Sequence, residues 1–133
     1  MSIKTVILLM FENRSFDHML GHLSYENLQP EANGLREPLE DYQNIYNGGV
    51  FPPHLITADT PLPFDIPHEW SDIQKQLALD PNTGTFAMDG FVSAYAAASN
   101  TEPNPDTAEP MGFFSSSQVP ITSFFGAAVL HLR

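Results

Sequence analysis

At 133 residues with no cysteine, the chain has the length of about one domain and holds neither disulfides nor thiolate metal sites. Sixteen acidic against five basic residues give a formal charge of −11, which argues against nucleic acid as a partner, because binding its phosphates demands clustered Lys and Arg. An anionic membrane surface is repelled for the same reason, and no stretch approaches the roughly 20 apolar residues of a transmembrane helix, so no stable membrane insertion is expected.

Residues 6–11 form an uninterrupted apolar run that stops at Glu12-Asn13. Strands buried on both faces in parallel sheets have this texture, because helices cover them and leave no polar side to alternate with. The run is shorter than a signal-peptide core of roughly 7–15 residues, and Glu12-Asn13-Arg14 follows it in place of small residues. By this absence of a signal peptide, a cytoplasmic location is the default expectation. Ligands of α/β sheets gather outside the carboxyl ends of the strands, where Glu12 and Asn13 fall. Adjacent carboxylate and carboxamide oxygens are hard donors suited to a divalent cation. Polar residues after a strand also serve simply to turn the chain and cap the next helix, and both uses are open at this point.

Ser15 is a candidate helix N-cap; Phe16, Met19 and Leu20 follow it at the spacing of a buried stripe, with Gly21 as the C-terminal stop. From residue 22 to 67, Asn33-Gly34, Asn47-Gly48-Gly49, Pro52-Pro53 and Pro61-Leu62-Pro63 predict one long loop. Short extended pieces at Val50-Phe51 and Leu55-Ile56-Thr57 are the most it should hold. Pro67 suits the first turn of a helix with Trp70, Ile73 and Leu77, and Gln74 at its margin, along one face. Asp80-Pro81 ends it and Asn82-Thr83-Gly84 turns the chain. A second helix is expected over 90–99 with Phe91, Tyr95 and Ala98 on one side, followed by a second long loop over 100–117. Ser117 or Gln118 then caps a helix with Pro120 in its first turn and Phe124, Phe125, Ala128 and Val129 on its apolar face. One strand without partners is not a stable object, so the sequence predicts an incomplete sheet in a single, truncated α/β domain spanning 1–133.

The motif Glu12-Asn13-Arg14-Ser15-Phe16-Asp17-His18 closely resembles the opening of the phosphoesterase family that contains non-haemolytic phospholipases C and related acid phosphatases. Pro67-His68-Glu69-Trp70, Met88-Asp89-Gly90-Phe91-Val92, Met111-Gly112-Phe113-Phe114 and Val119-Pro120 follow in that family's order. The resemblance implies an alkaline-phosphatase-like α/β sandwich and a divalent metal cation held by Glu12 and Asn13. It also implies that His68 lies beside the bound phosphate as a catalytic proton or hydrogen-bond donor. Arg14 is left outside the site, Asp17 and His18 are taken as motif structure, and Asp89 as a turn former. The implied reaction is metal-assisted hydrolysis of a phosphate ester or phospholipid by a hydroxyl nucleophile. Family members are often secreted and several times longer, with the nucleophile and remaining ligands beyond the position of Arg133. No serine of Ser115-Ser116-Ser117 qualifies as nucleophile, so little turnover is expected from this chain alone. The alternative function is a non-catalytic acidic module that binds a divalent cation or a protein partner, with self-association through bared apolar surface.

Overall fold

The computed structural model describes residue 5 and residues 14–56, 64–100 and 110–120. The expected strand over 6–11, the ligand pair Glu12-Asn13, Thr57 and the apolar face from Phe124 to Val129 lie outside these residues. Ser15 caps α1 (Phe16–Leu20), its Oγ accepting the His18 backbone N–H at 3.2 Å. Gly21 is not a stop. Its φ of −57° and ψ of −28° are helical, and the chain runs straight into α2 (His22–Tyr25).

The expected stripe of α1 is rotated. Phe16 is 48% exposed, whereas His18 and His22 are buried. An imidazole takes the inward face because a carbonyl waits for it: His18 Nδ1 lies 3.0 Å from the Gly112 oxygen. That carbonyl belongs to β4 (Gly112–Phe113), on which α1 packs.

Residues 22–67 hold more structure than a long loop. Beyond α2 and a 3₁₀ turn at Leu39–Tyr42 there is an antiparallel hairpin, β1 (Asn44–Tyr46) with β2 (Gly49–Phe51). Asn47 and Gly48, with φ of 47° and 78°, are its two-residue turn. Both central residues of such a turn need positive φ, so the dipeptide that suggested a break is what joins the strands. β3 (His54–Leu55) pairs in parallel with β4, His54 N–H donating to Met111 and Ile56 N–H to Phe113. β4 thus breaks into the second expected loop, leaving two small sheets among helices and an α/β character.

α3 (Trp70–Leu77) starts after Pro67 and stops at Ala78, whose left-handed φ of 46° ends it before Asp80-Pro81. Its expected apolar face is corrected too: Trp70 is 72% exposed and Gln76 is buried, donating from Nε2 to the Pro67 carbonyl at 2.6 Å. Asn82-Thr83-Gly84 does turn the chain, with Asn82 N–H on Asp80 Oδ1. α4 (Phe91–Ser99) agrees with the expected helix, and Tyr95 is fully buried. Val92, Ala94 and Ala96 are buried with it, while Ala98 is exposed, because α4 is covered by both α3 and β1.

Two neutral amides and one glycine fix these packings. A Cβ on Gly90 would overlap the Lys75 carbonyl, so α4 begins in direct backbone contact with α3. Asn44 accepts the Val92 N–H at 3.1 Å and donates to the Met88 carbonyl at 3.3 Å. It therefore caps α4 from another element, supplying an orphan helix donor with a partner that Gly90 cannot provide. Gln118 does the same between loops, accepting from Ser115 N–H and donating to the Ile56 carbonyl. No described helix is long and apolar enough to cross a membrane.

Candidate active site

A cavity of about 750 Å³ opens between the start of α1, the segment before α3 and β4. Arg14, Ser15, Asp17 and His18 make one wall, and His68 stands on another. Ile73, Leu77, Phe91 and Met111 make the apolar remainder. Among the described lining residues, one cationic side chain, Arg14, stands beside two carboxylates, Asp17 and Asp41, so an anion in this space is best placed near Arg14.

Each polar wall residue is held by a local device. Ser15 is extended and capping, so Arg14 precedes the helix at the cavity edge. His18 is gripped twice: Nδ1–H donates to Gly112, and its own backbone carbonyl accepts the Phe114 N–H at 3.0 Å. Its ring meets the Phe114 ring edge-on at 4.9 Å. Burial, then the nearby Arg14 charge, hold its pKa below the ordinary histidine value, outweighing the bond to Gly112. Burial lowers His22 as well, against the opposing pull of Glu26. Asp17 is exposed at its edge, yet partial desolvation pushes its carboxyl up.

His68 is exposed, and its Nδ1 lies 2.9 Å from the Ile66 carbonyl and 3.9 Å from Asp65 Oδ2. A carbonyl only accepts, so Nδ1 carries the proton in this bond. The site residues expected from sequence are therefore divided. His68 shares a cavity with Arg14, the residue after Glu12-Asn13, while Glu12 and Asn13 themselves are outside the described residues. Asp89 is exposed and follows Met88, which takes a left-handed φ of 57°. His18, expected as motif structure, also lines the cavity, and the i, i+4 spacing of His18 and His22 around Gly21 is the sequence signal for its inward face.

Carboxylate and carboxamide oxygens of the kind Glu12 and Asn13 carry would suit a hard divalent cation, and two of them would supply only part of its coordination. Among the described residues no three His, Asp or Glu side chains converge to hold a metal. The Ser115 and Ser93 hydroxyls are engaged in local bonds: Ser115 Oγ lies 2.9 Å from both Ser117 Oγ and Gln118 Oε1, and Ser93 Oγ donates to Gly90.

Searches of curated proteins and of solved structures returned no match. A family model described as the Phosphoesterase family matches residues 3–128. That span takes in the opening motif, His68 and the β4 segment in one continuous match, and the chain belongs to the Phosphoesterase family.

Proposed function

We propose that the chain supplies the cation-holding and phosphate-orienting half of a phosphoric ester hydrolase, phospholipase C-like or acid phosphatase-like, on an alkaline-phosphatase-like sandwich. The observation that carries this reading is the shared cavity: Arg14 and Ser15, directly after Glu12-Asn13, face the same space as His68, more than fifty residues later in sequence. Glu12 and Asn13 would hold the divalent cation, whose charge makes phosphorus easier to attack. Arg14 adds positive charge at the same wall. His68, held by Ile66 at Nδ1, would donate a hydrogen bond or a proton to a phosphate oxygen. The apolar side of the cavity excludes water from the ester's organic part.

The test is calorimetry of the full chain with Mg²⁺, Ca²⁺, Mn²⁺ and Zn²⁺, then with inorganic phosphate in the presence of the tightest cation. Glu12→Ala should weaken the cation at least tenfold. His68→Ala should leave the cation unchanged and weaken phosphate. Equal cation binding by native and Glu12→Ala protein would overturn the proposal. Assays with p-nitrophenyl phosphate, p-nitrophenylphosphorylcholine and phosphatidylcholine should show little turnover, because Ser15 Oγ, the serine hydroxyl among the described cavity residues, is committed to capping α1.

A further inference from the structure

His18 and His22 are one helical turn apart, both buried, and both directed at the strand that α1 packs on. His18 bonds Gly112 and stacks edge-on against Phe114. His22, with no accessible surface, lies against the backbone of Met19 and Phe114. Phe114 N–H donates in return to the His18 carbonyl. Two imidazoles and a backbone bond, with the edge-on contact of Tyr25 and Phe113 and the Glu26–Ser116 bond beyond them, thus form the contact between α1–α2 and the segment around β4.

The charges around this contact decide what a second proton on either ring would meet. On the helix side are Arg14 and Asp17 at the start of α1, and Glu26 one turn beyond His22. Glu26 already accepts the Ser116 N–H at 3.0 Å. From 110 to 120 the chain has no ionisable side chain at all. Leu35 is buried beside Gly21; of its neighbours, Arg36 binds carbonyls of its own loop and Glu37 faces Tyr25. On β3, His54 is the strand partner of Gly112. Across the cavity from His18 stand Asp41 and His68. Among the described residues, a cationic His18 would therefore face Arg14 on its own segment and no carboxylate from the strand side, in a setting too dry to screen it.

We propose that His18 and His22 form an acid-released latch, which holds α1–α2 on β4 while both rings are neutral and lets it go when they are protonated. Release moves the Arg14-Ser15 wall of the cavity, so the device couples the site to pH without using any residue placed in the chemistry. It stands on the contact itself and is independent of the reaction proposed above. Protonation adds a hydrogen at Nε2 and leaves Nδ1–H on Gly112, so the latch opens through the cost of burying charge.

Hydrogen exchange of the full chain, read as protection factors from pH 7.5 to 5.0, tests this at two amides. The Phe114 amide reports the latch, and the Val92 amide, bonded to Asn44 Oδ1, reports a contact with no histidine in it. Protection at Phe114 should fall by up to about tenfold per pH unit for each histidine that takes a proton on opening, while Val92 changes much less. His18→Asn, which keeps a donor for Gly112 and cannot titrate, should make the Phe114 slope shallower. A Phe114 protection factor that stays flat over this range, or falls in step with Val92, overturns the proposal from the native chain alone. A folded His18→Asn protein with the native slope overturns it as well.

Discussion

The two ends of the described structure are held together by opposite kinds of contact. Where α4 meets α3 and β1, the fit is one of shape: Gly90 allows backbone to touch backbone, small apolar side chains surround Tyr95, and the polar link is the neutral amide of Asn44. Where α1–α2 meets β4, the buried groups include two imidazoles beside the Tyr25–Phe113 ring pair. Shape and neutral amides are indifferent to pH between 5 and 8; imidazoles are not. The segment that leads out of the Glu12-Asn13 motif therefore sits on the more condition-dependent of the two contacts, and the packing of α3, α4 and β1, which lines the same cavity with Ile73, Leu77 and Phe91, is the firmer scaffold.

The hardest blow to the firm side is Gly90→Ala. The new methyl group would overlap the Lys75 carbonyl, and a backbone cannot give way as a flexible side chain can. A loss of about 3 kcal/mol is expected in urea melts, at the upper end for overpacking by one carbon. Asn44→Ala comes next. It strands the Val92 N–H and the Met88 carbonyl, and leaving buried groups unsatisfied should cost about 2 kcal/mol. A loss below about 0.5 kcal/mol would mean that water replaces the amide and that the scaffold is less dry than its burial implies.

Against those losses, the native chain should show a milder, pH-dependent one. Both histidines have folded pKa values below the ordinary one, so their neutral forms are favoured by the fold. Their contribution is complete above the unfolded pKa of about 6.5 and is lost as pH falls from there toward the folded values. Urea melts at pH 7.5 and 5.5 should differ by at most about 1.4 kcal/mol per pH unit for each histidine. Stability that is level across this window would erase the contrast between the two contacts.

How much of this was open to sequence reading depends on what each signal encodes. α4 and the turn at 82–84 were legible because composition and Gly84 act locally. The hairpin was not, because Asn47-Gly48 carries the same letters whether it ends an element or joins two. The rotated faces of α1 and α3 were hidden for one shared reason. His18 and Gln76 are inward only because Gly112 and Pro67, distant along the chain or outside the helix, present carbonyls to them. Of the candidate site, the motif residues were legible as a linear pattern, and His68 as a match in order. The cavity that unites Arg14 with His68, and the part His18 plays in its wall, depend on tertiary packing that no local spacing records.

The smallest effect asks which force governs the start of α1. Desolvation pushes the Asp17 carboxyl above its ordinary value of 3.8, so the fold favours its protonated form. A carboxyl raised in this way contributes stability below the unfolded pKa and loses it as pH rises through the folded one, the same direction of preference for neutrality as in the histidines but over a more acidic window. At pH 7 its charge is then a net burden, eased by its place in the first helical turn, where the helix dipole favours an anion. Asp17→Asn should raise the melting temperature at pH 7 by no more than about 2 °C and change nothing at pH 3. A fall in its place would show the dipole outweighing desolvation, and would make the carboxylate an asset of the very wall proposed to receive an anion.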